Sequence, residues 1–532
     1  MNDTLYDIVP YKSHSMPQAH PDRLAALATL FGMQPHPIQN SRILELGCGD
    51  GSNLIPMAYG LPQSELIGFD LAATAISKGQ EIINKLGLKN ISLLSTDIMD
   101  VSDKMGVFDY IIVHGIFSWV PPAVQEKILS ICNENLAPQG VALVSYNTYP
   151  GWHLRGMVRE MMRFHADHFP DPDQKVAQAR SFLKFIAEAV PEPRETYSSI
   201  FKDELERTMQ SDIVFHDDLA EINQPLYFHE FMARAEKHHL RYLAEADFFE
   251  MQDLFFKPDV RETLKRLAGP SILVKEQFMD FIKCRRFRQT LLRHSDVTLK
   301  RTLHPEHMQN FYFSCPSRPV DGNGEFLEGD IPELMAREDL MFRRPPSGST
   351  LATDHPVPRV ALLHLSNIWP TRLHFRDLLR IGQEHRLQDS RSSGMSGYGN
   401  SRDDALALGD ILLSAFSANM VELHVHVPHF VQELSDRPVA SPYARLQAQK
   451  TSRVTNLCHK TIEMENTYGQ FLLSLLDGTR DRSAIHEEMV QIIRSKNLHL
   501  KGQPPSEKTT EELIAEIDSE LENCARHALL EA

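Results

Sequence analysis

Over the first 150 residues, short apolar runs alternate with stretches of helical spacing. Residues 42–46 (R-I-L-E-L) lead into a glycine-rich turn, Gly47-Cys48-Gly49-Asp50-Gly51. Further runs occupy residues 66–70 (L-I-G-F-D), 91–97 (I-S-L-L-S-T-D), 108–113 (F-D-Y-I-I-V) and 140–146 (G-V-A-L-V-S-Y). Residues 52–59, 73–86 and 123–136 carry helical periodicity between them. Taken singly, a short apolar run is ambiguous between buried strand and buried helix. In this order the runs predict a doubly wound α/β sheet of parallel strands, with ligand at their carboxyl ends.

The pattern changes after residue 146. Residues 152–168, 173–190 and 196–211 read as helices, punctuated by Pro150, Pro170, Pro191 and Pro193. Residues 228–238 read as another helix, and 240–246 and 287–292 as two further strands. Either these strands complete the sheet and residues 151–225 are a helical insertion over the active-site face, or residues 151–295 form a separate middle domain. The Pro-rich residues 343–358 read as a linker or long loop and the Gly/Ser-rich residues 389–402 as a mobile loop. Residues 404–420 and 468–476 are expected helices, and 421–427 an expected strand. Residues 472–482 followed by a helix have the outline of a winged-helix-like unit, and the acidic residues 511–522 direct that unit to a protein rather than to nucleic acid. The expected division is 1–150 for the ligand-binding core with its N-terminal segment, 151–295 for the helical insertion, and 300–532 for a mixed, mainly helical C-terminal region that binds substrate or partner.

The glycine turn narrows the ligand. Backbone amides at its bend and a carboxylate, Asp70, at the end of the second strand suit a nucleotide-like molecule. A dinucleotide fingerprint spaces its glycines G-x-G-x-x-G and seats a pyrophosphate. Here the spacing is G-x-G-x-G, with Glu45 and Asp50 flanking it. Negative charge there opposes a pyrophosphate and favours a sulfonium with an α-amino group. The stretch E-L-G-C-G-D-G resembles motif I of the class I S-adenosylmethionine (SAM) methyltransferases, a Rossmann-like α/β fold. On that reading Gly47, Gly49 and Gly51 let the protein backbone approach the cofactor closely, Glu45 and Asp50 face its amino-acid end, through water or amides, and Asp70 accepts from the ribose, with Leu71 beside it. Asp97 either accepts from the adenine amino group or caps its strand, while Ile98 packs the ring.

Methyl transfer from SAM is an in-line displacement that needs position and exclusion of water, not a triad. The acceptor side follows the fourth strand as His114-Gly115-Ile116-Phe117-Ser118-Trp119-Val120. It lacks the Asn/Asp-Pro-Pro-aromatic sequence usual where planar nitrogens are methylated. His114 is either a base or an orienting group. Trp119, Tyr146, Asn147, Tyr149 and Trp152 form an aromatic and polar set that suits a cation, or else packs the core near a hinge.

Composition adds limits. The formal net charge of −16 disfavours a phosphate-backbone partner. No apolar stretch is long enough to span a bilayer, and the opening M-N-D-T has no secretory pattern. The six cysteines lack metal-ligand spacing and read as reduced, mostly buried thiols of a cytoplasmic protein. The 25 histidines include His424-x-His426 and His238-His239, but none has companions at ligand spacing, so no metal is expected.

Several blocks carry a more specific resemblance. Residues 11–24 (Y-K-S-H-S-M-P-Q-A-H-P-D-R-L), 30–33, 53–58, 114–121 and 145–152 are similar to the bacterial protein-lysine methyltransferases of the rickettsial outer-membrane-protein type. Residues 216–219 (H-D-D-L) and 227–231 (Y-F-H-E-F) resemble that family's methyltransferase regulatory domain. The resemblance is dense to about residue 295 and thin beyond it. It implies SAM as cofactor, bound by the positions named above with Tyr11 and His20 near it. It also implies methylation of lysine on a protein substrate, and a C-terminal region that helps bind that protein. A small-molecule N- or O-methyltransferase and a non-catalytic SAM-binding scaffold remain the alternatives. Because the C-terminal region holds no cofactor motif, residues 300–532 are expected to be dispensable for binding SAM.

Overall fold

The computed structural model describes residues 5–189, 195–211, 213–346, 348–393, 401–464, 466–499 and 504–532. Pro191 and Pro193, and half of the expected Gly/Ser-rich loop (394–400), lie outside the described residues. The central sheet has seven strands: β1 (Arg42–Leu46), β2 (Glu65–Asp70), β3 (Ile91–Ser95), β4 (Phe108–Val113), β5 (Leu136–Asn147), β6 (Leu240–Glu245) and β7 (Phe287–His294), in the order β3-β2-β1-β4-β5-β7-β6. The first five are parallel, whereas β7 runs antiparallel to both β5 and β6. The order reverses between β1 and β4, which places the ligand crevice at their carboxyl ends.

Strands β6 and β7 therefore complete the sheet, and residues 240–294 belong to it. Helices Gly151–Ala166, Pro172–Ala189 and Glu195–Gln210 form the insertion. They bury a small core of their own, including Val158, Met162, Leu183 and Phe201. Two boundaries move for local reasons. Helix Pro122–Glu134 stops before Asn135, whose Nδ2 donates to the carbonyls of Ser102 and Gly106, and β5 starts at once at Leu136. Strand β3 ends at Ser95 because Asp97 caps the turn that follows, accepting the Met99 N–H at 2.9 Å.

The Pro-rich residues 343–358 are not a linker. Arg343 pairs with Thr350 in a small sheet, and Pro356 opens a helix, Pro356–Asn367, buried along most of its length. Proline at a first helical position loses no hydrogen bond, so the stretch starts an element instead of separating two. Residues 389–393, expected in a loop, continue helix Phe375–Ser393. The strand expected over 421–427 shortens to Glu422–His424, since Asp22 takes the N–H groups of Val425 and His426.

One hydrophobic core runs from Ala19 through the sheet to Phe313, Leu362, Leu412 and Tyr443. Part of the C-terminal half thus shares the core of the ligand-binding sheet. A second core gathers Leu472, Ile485, Met489, Leu513, Ile517 and Leu521 from helices Thr467–Leu475, Arg482–Ser495 and Thr510–Arg526. With the hairpin Arg453–Thr455/Thr461–Glu463 these helices make the C-terminal winged-helix domain. Among the described residues, no helix is long and apolar enough to cross a membrane.

Candidate active site

The glycine turn bridges β1 and β2. The N–H groups of Gly47 and Cys48 both donate to the Phe69 carbonyl, at 2.8 and 3.0 Å. Asp70, at the end of β2, accepts the Gly49 N–H at one carboxylate oxygen and the Ala72 N–H at the other, each at 2.8 Å. Burial raises the Asp70 pKa, and those N–H groups work against the rise. The acid expected to take the ribose therefore also holds the turn, and each of its oxygens keeps a further lone pair. Gly49 sits at φ +56°, and a Cβ built there would come 3.0 Å from Ser13 Oγ. Gly51, at φ +77°, is packed instead against Leu93, which a Cβ would approach to 2.7 Å.

Leu71 is 54 % exposed and Met99 46 % exposed, beside the strand-end carboxylates of Asp70 and Asp97. Large apolar side chains next to acceptors make a surface suited to a nucleoside. Ile98 is half-buried in the same turn as Met99. Glu45 is buried at 2 % exposure. Its Oε1 accepts Asn53 Nδ2 at 2.8 Å, and its Oε2 has no partner. Burial, helped by Asp70 and Asp50, pushes its pKa up to about 8. An unpartnered buried carboxyl oxygen beside the glycine turn fits the amino group of a SAM-like ligand. Asp50 turns away, accepting the N–H and Oγ–H of Ser52.

The N-terminal segment crosses this site. Asp7 accepts the Thr74 N–H at 3.0 Å, and Met16 donates its N–H to Asn53 Oδ1, also at 3.0 Å. His216, from the end of the insertion, lies 2.8 Å from the Val9 carbonyl. It stacks on Tyr6 at 4.7 Å and meets Tyr11 at 5.4 Å. The Tyr6 pKa is raised by burial and then by the charges of Asp70 and Asp217. Tyr6, like Tyr11, belongs to a Pro-containing pre-sheet segment of the kind that folds over a ligand. An aromatic beside an acid in the pre-sheet segment was the available signal.

His20 has its Nδ1 accepting the Asp22 N–H and its ring 5.0 Å from that of His459. Burial pushes its pKa down to about 3. It lines a cavity of about 430 Å³ together with Tyr59, Arg372, His424, Tyr443 and Lys460, and no glycine of the turn borders that cavity.

On the acceptor side, His114 has its pKa pushed down to about 4, by burial and then by His14. A neutral imidazole of that basicity orients a group but cannot retain a proton at neutral pH. Trp119 meets Trp152 edge-on at 6.1 Å, and Gly115 donates its N–H to Ser145 Oγ at 2.8 Å. Tyr146 takes the core-packing alternative. It is 1 % exposed, stacked on Phe231 at 4.1 Å, with its hydroxyl 3.2 Å from Thr290 Oγ1. Alternation along β5 turns it into the core and turns its neighbour Asn147 the other way. Asn147 donates Nδ2 to Asn223 Oδ1 at 3.0 Å and its N–H to Ser118 Oγ at 2.9 Å. The insertion thereby closes on the acceptor side. It also brings residues the sequence did not single out for this role: Tyr227 lies 5.2 Å from Tyr149, which stacks on His153 at 3.9 Å. Among the described residues, no group of His, Cys, Asp and Glu is placed to hold a metal ion. All six cysteines are free, and only Cys284 is exposed.

Three family models match the chain: "Methyltransferase domain" over residues 43–140, "Predicted methyltransferase regulatory domain" over 210–294, and "PKMT, C-terminal winged helix domain" over 436–529. An uncharacterised protein of Rickettsia prowazekii is 34% identical over 522 residues, covering 97% of this chain and 90% of its own length. A second uncharacterised protein of that organism is 39% identical over 238 residues, 44% of this chain and 95% of its own. Among solved structures, PKMT2 from Rickettsia typhi in complex with AdoHcy superposes with a TM-score of 0.85 at 28% identity, covering 98% of this chain and 100% of its own. The chain thus belongs to the SAM-dependent methyltransferase family that joins a Rossmann-like catalytic sheet to a methyltransferase regulatory domain and a PKMT-type winged helix.

Proposed function

We propose that this methyltransferase acts on the ε-amino group of lysine side chains in a protein substrate. The observation that carries the reading is the likeness to PKMT2 along the whole chain, winged helix included. Bound SAM supplies an electrophilic methyl group. The chain's own residues bind, orient and desolvate. Gly47, Gly49, Gly51, Asp70, Leu71, Asp97 and Ile98 hold the cofactor, with Glu45 at its amino-acid end and Tyr6 and Tyr11 above it. His114, Trp119 and Asn147 border the acceptor. Tyr149, His153 and Tyr227 offer aromatic faces for an ammonium.

A lysine must lose a proton before it can attack. From its usual pKa of about 10.4, neutralisation at pH 7 costs roughly 4.6 kcal/mol. Closure by the N-terminal segment and the insertion lowers that cost by desolvation, as does the nearby sulfonium charge. We assign residues 1–150 to the SAM-binding core and lid, 151–295 to the insertion and regulatory region, and 300–532 to recruitment of the protein. Free thiols fit a reducing, cytoplasmic setting. The test is incubation with methyl-labelled SAM and candidate proteins, followed by mapping of the label. Label on lysine supports the reading; label confined to small amines or hydroxyl compounds moves the function to a metabolite methyltransferase.

A further inference from the structure

We infer that His459, carried on the hairpin of the winged-helix domain, is a positioning residue for the cofactor site, so that docking of this C-terminal domain sets the affinity for SAM. The inference rests on the glycine turn being the SAM site. It reverses the expectation that residues 300–532 are dispensable there.

The geometry is a chain of short contacts. His459 Nε2 lies 2.9 Å from Asn53 Oδ1, 406 residues away in sequence. Asn53 Oδ1 also accepts the Met16 N–H at 3.0 Å, which identifies it as the acceptor and His459 Nε2–H as the donor. On its other side Asn53 donates Nδ2 to Glu45 Oε1 at 2.8 Å. Asn53 therefore joins three parts at one amide: the acid at the end of β1, the segment crossing the glycine turn, and the winged helix. A second tie runs in parallel, from Ser15 Oγ to Thr461 Oγ1 at 3.1 Å. Asn53 is 3 % and His459 5 % exposed.

The hairpin is built to deliver this ring. Asn456 Oδ1 accepts the N–H groups of Cys458 and Lys460, at 3.0 and 2.8 Å. Lys460 Nζ is anchored to both oxygens of Glu422, at 2.9 and 2.7 Å. His459 itself holds φ at +60°, a conformation in which glycine or asparagine is the ordinary choice. Its side chain is what the position keeps, at some backbone cost. A preorganised contact shell of this kind fixes the residues that touch a ligand. Coupling between sites is reciprocal, so ligand in the cofactor site must also tighten the hairpin.

Calorimetric titration of S-adenosylhomocysteine (SAH) into the full chain tests this. His459→Ala, confirmed folded at the titration temperature, should bind SAH about tenfold more weakly, as expected for losing one hydrogen bond to a buried group. His459→Gln, which keeps a donor, should recover most of that loss. With a methyl-accepting protein in hand, KM for SAM should rise while kcat at saturating SAM stays near wild type. Binding within about twofold of wild type by the folded alanine variant overturns the inference but leaves the site reading intact. A wild-type chain that does not bind SAH overturns the site reading and the inference with it. If the alanine variant fails to fold, deuterium exchange on the wild-type chain decides. SAH should slow exchange in residues 456–461 more than in helix Thr510–Arg526, and unchanged exchange in the hairpin overturns the proposal.

Discussion

Asp22 and His424 stand 402 residues apart in sequence and 2.7 Å apart in space, Asp22 Oδ2 to His424 Nδ1. The same carboxylate meets Arg372 Nη1 at 2.9 Å and accepts the N–H groups of Val425 and His426 at 2.8 and 3.0 Å. It clamps the first long helix, Pro21–Leu30, to the C-terminal half. Burial alone would raise its pKa, but Arg372 and His424 hold it well below the usual carboxylate range.

Asp22→Ala should therefore destabilise the chain by about 3–5 kcal/mol, since it leaves Arg372 buried without its counter-charge. The measurement is urea unfolding followed by circular dichroism. A loss under about 1 kcal/mol would show that the clamp does not hold the halves together. Acid should act on the same cluster. His424 has its pKa pushed down to about 4, mainly by burial. Between about pH 6.5 and 4 the unfolded chain binds the proton that the folded chain refuses, so this group's contribution to stability falls as pH falls. Asp22 behaves alike at lower pH: its contribution is full above about 3.9 and is lost as pH drops toward its depressed folded value.

The two inner glycines of the turn should fail differently. Gly49→Val should keep the helices and strands seen by circular dichroism and abolish SAH binding, because φ +56° strains the turn and a Cβ there meets Ser13 Oγ of the crossing segment on the side proposed for the ligand. Gly51→Ala should lower thermal stability first, because its Cβ enters the contact with Leu93 and Ile55. Thermal melts and calorimetry on both variants check this. Equal binding losses at unchanged stability would contradict the distinction.

Asp70→Ala should weaken SAH binding by about 1.5–3 kcal/mol, the usual loss for a charged hydrogen-bond partner. Part of the loss should come from the turn itself, which Asp70 holds through the Gly49 N–H. Asp70→Asn keeps an acceptor for one of the two N–H groups and should fall between. Unchanged affinity in the alanine variant would remove Asp70 from the site.

These contrasts show what was legible in the sequence. Strands β1, β2, β4 and β5 and the glycine turn stand out because a strand buried on both faces is a continuous apolar run and a turn at positive φ demands glycine, whereas β3 lies at the sheet edge and buries only Ile91 and Leu93. Strands β6 and β7 were readable as runs, although their membership of the sheet is a tertiary fact. Which alternative Tyr146 takes, acceptor side or core, was hidden for the same reason that β5 was easy to find. In a strand buried on both faces, residue type no longer tells which face a side chain takes. His20 and His459 were out of reach, because their meaning depends on a contact made across more than 400 residues. That helix Pro356–Asn367 packs into the core built by the sheet, across the boundary expected near residue 300, is likewise a tertiary fact.

Tyr146→Phe should therefore act on the fold and not on the chemistry. It removes the hydroxyl beside Thr290 Oγ1 and leaves the ring stacked on Phe231. The expected loss is about 1 kcal/mol of stability, with methyl transfer at saturating SAM unchanged. Denaturant unfolding and an activity assay at a temperature where both chains are folded separate the two. A large fall in transfer rate without a fall in stability would return Tyr146 to the acceptor side.

The pH dependence of transfer tests both the acceptor and the place of His114. A lysine nucleophile reacts as the neutral amine, so transfer should rise between about pH 7 and 9 as the bound ammonium loses its proton. His114 titrates near 4, so it is neutral across that range and contributes no step to the profile. Its substitution by Gln should lower the rate through lost orientation while leaving the shape of the curve alone. Were His114 the base, its apparent pKa would appear as the rising limb, and the Gln variant would lose that limb. A hydroxyl or carboxylate acceptor need not show the rise above pH 7. The experiment uses the full chain with a methyl-accepting protein, at saturating SAM, so that ionisation of Glu45 near pH 8 affects cofactor affinity without entering the rate. A profile flat from pH 7 to 9 would count against lysine as the acceptor. A limb that disappears with His114→Gln would make His114 the base and overturn its assignment as an orienting group.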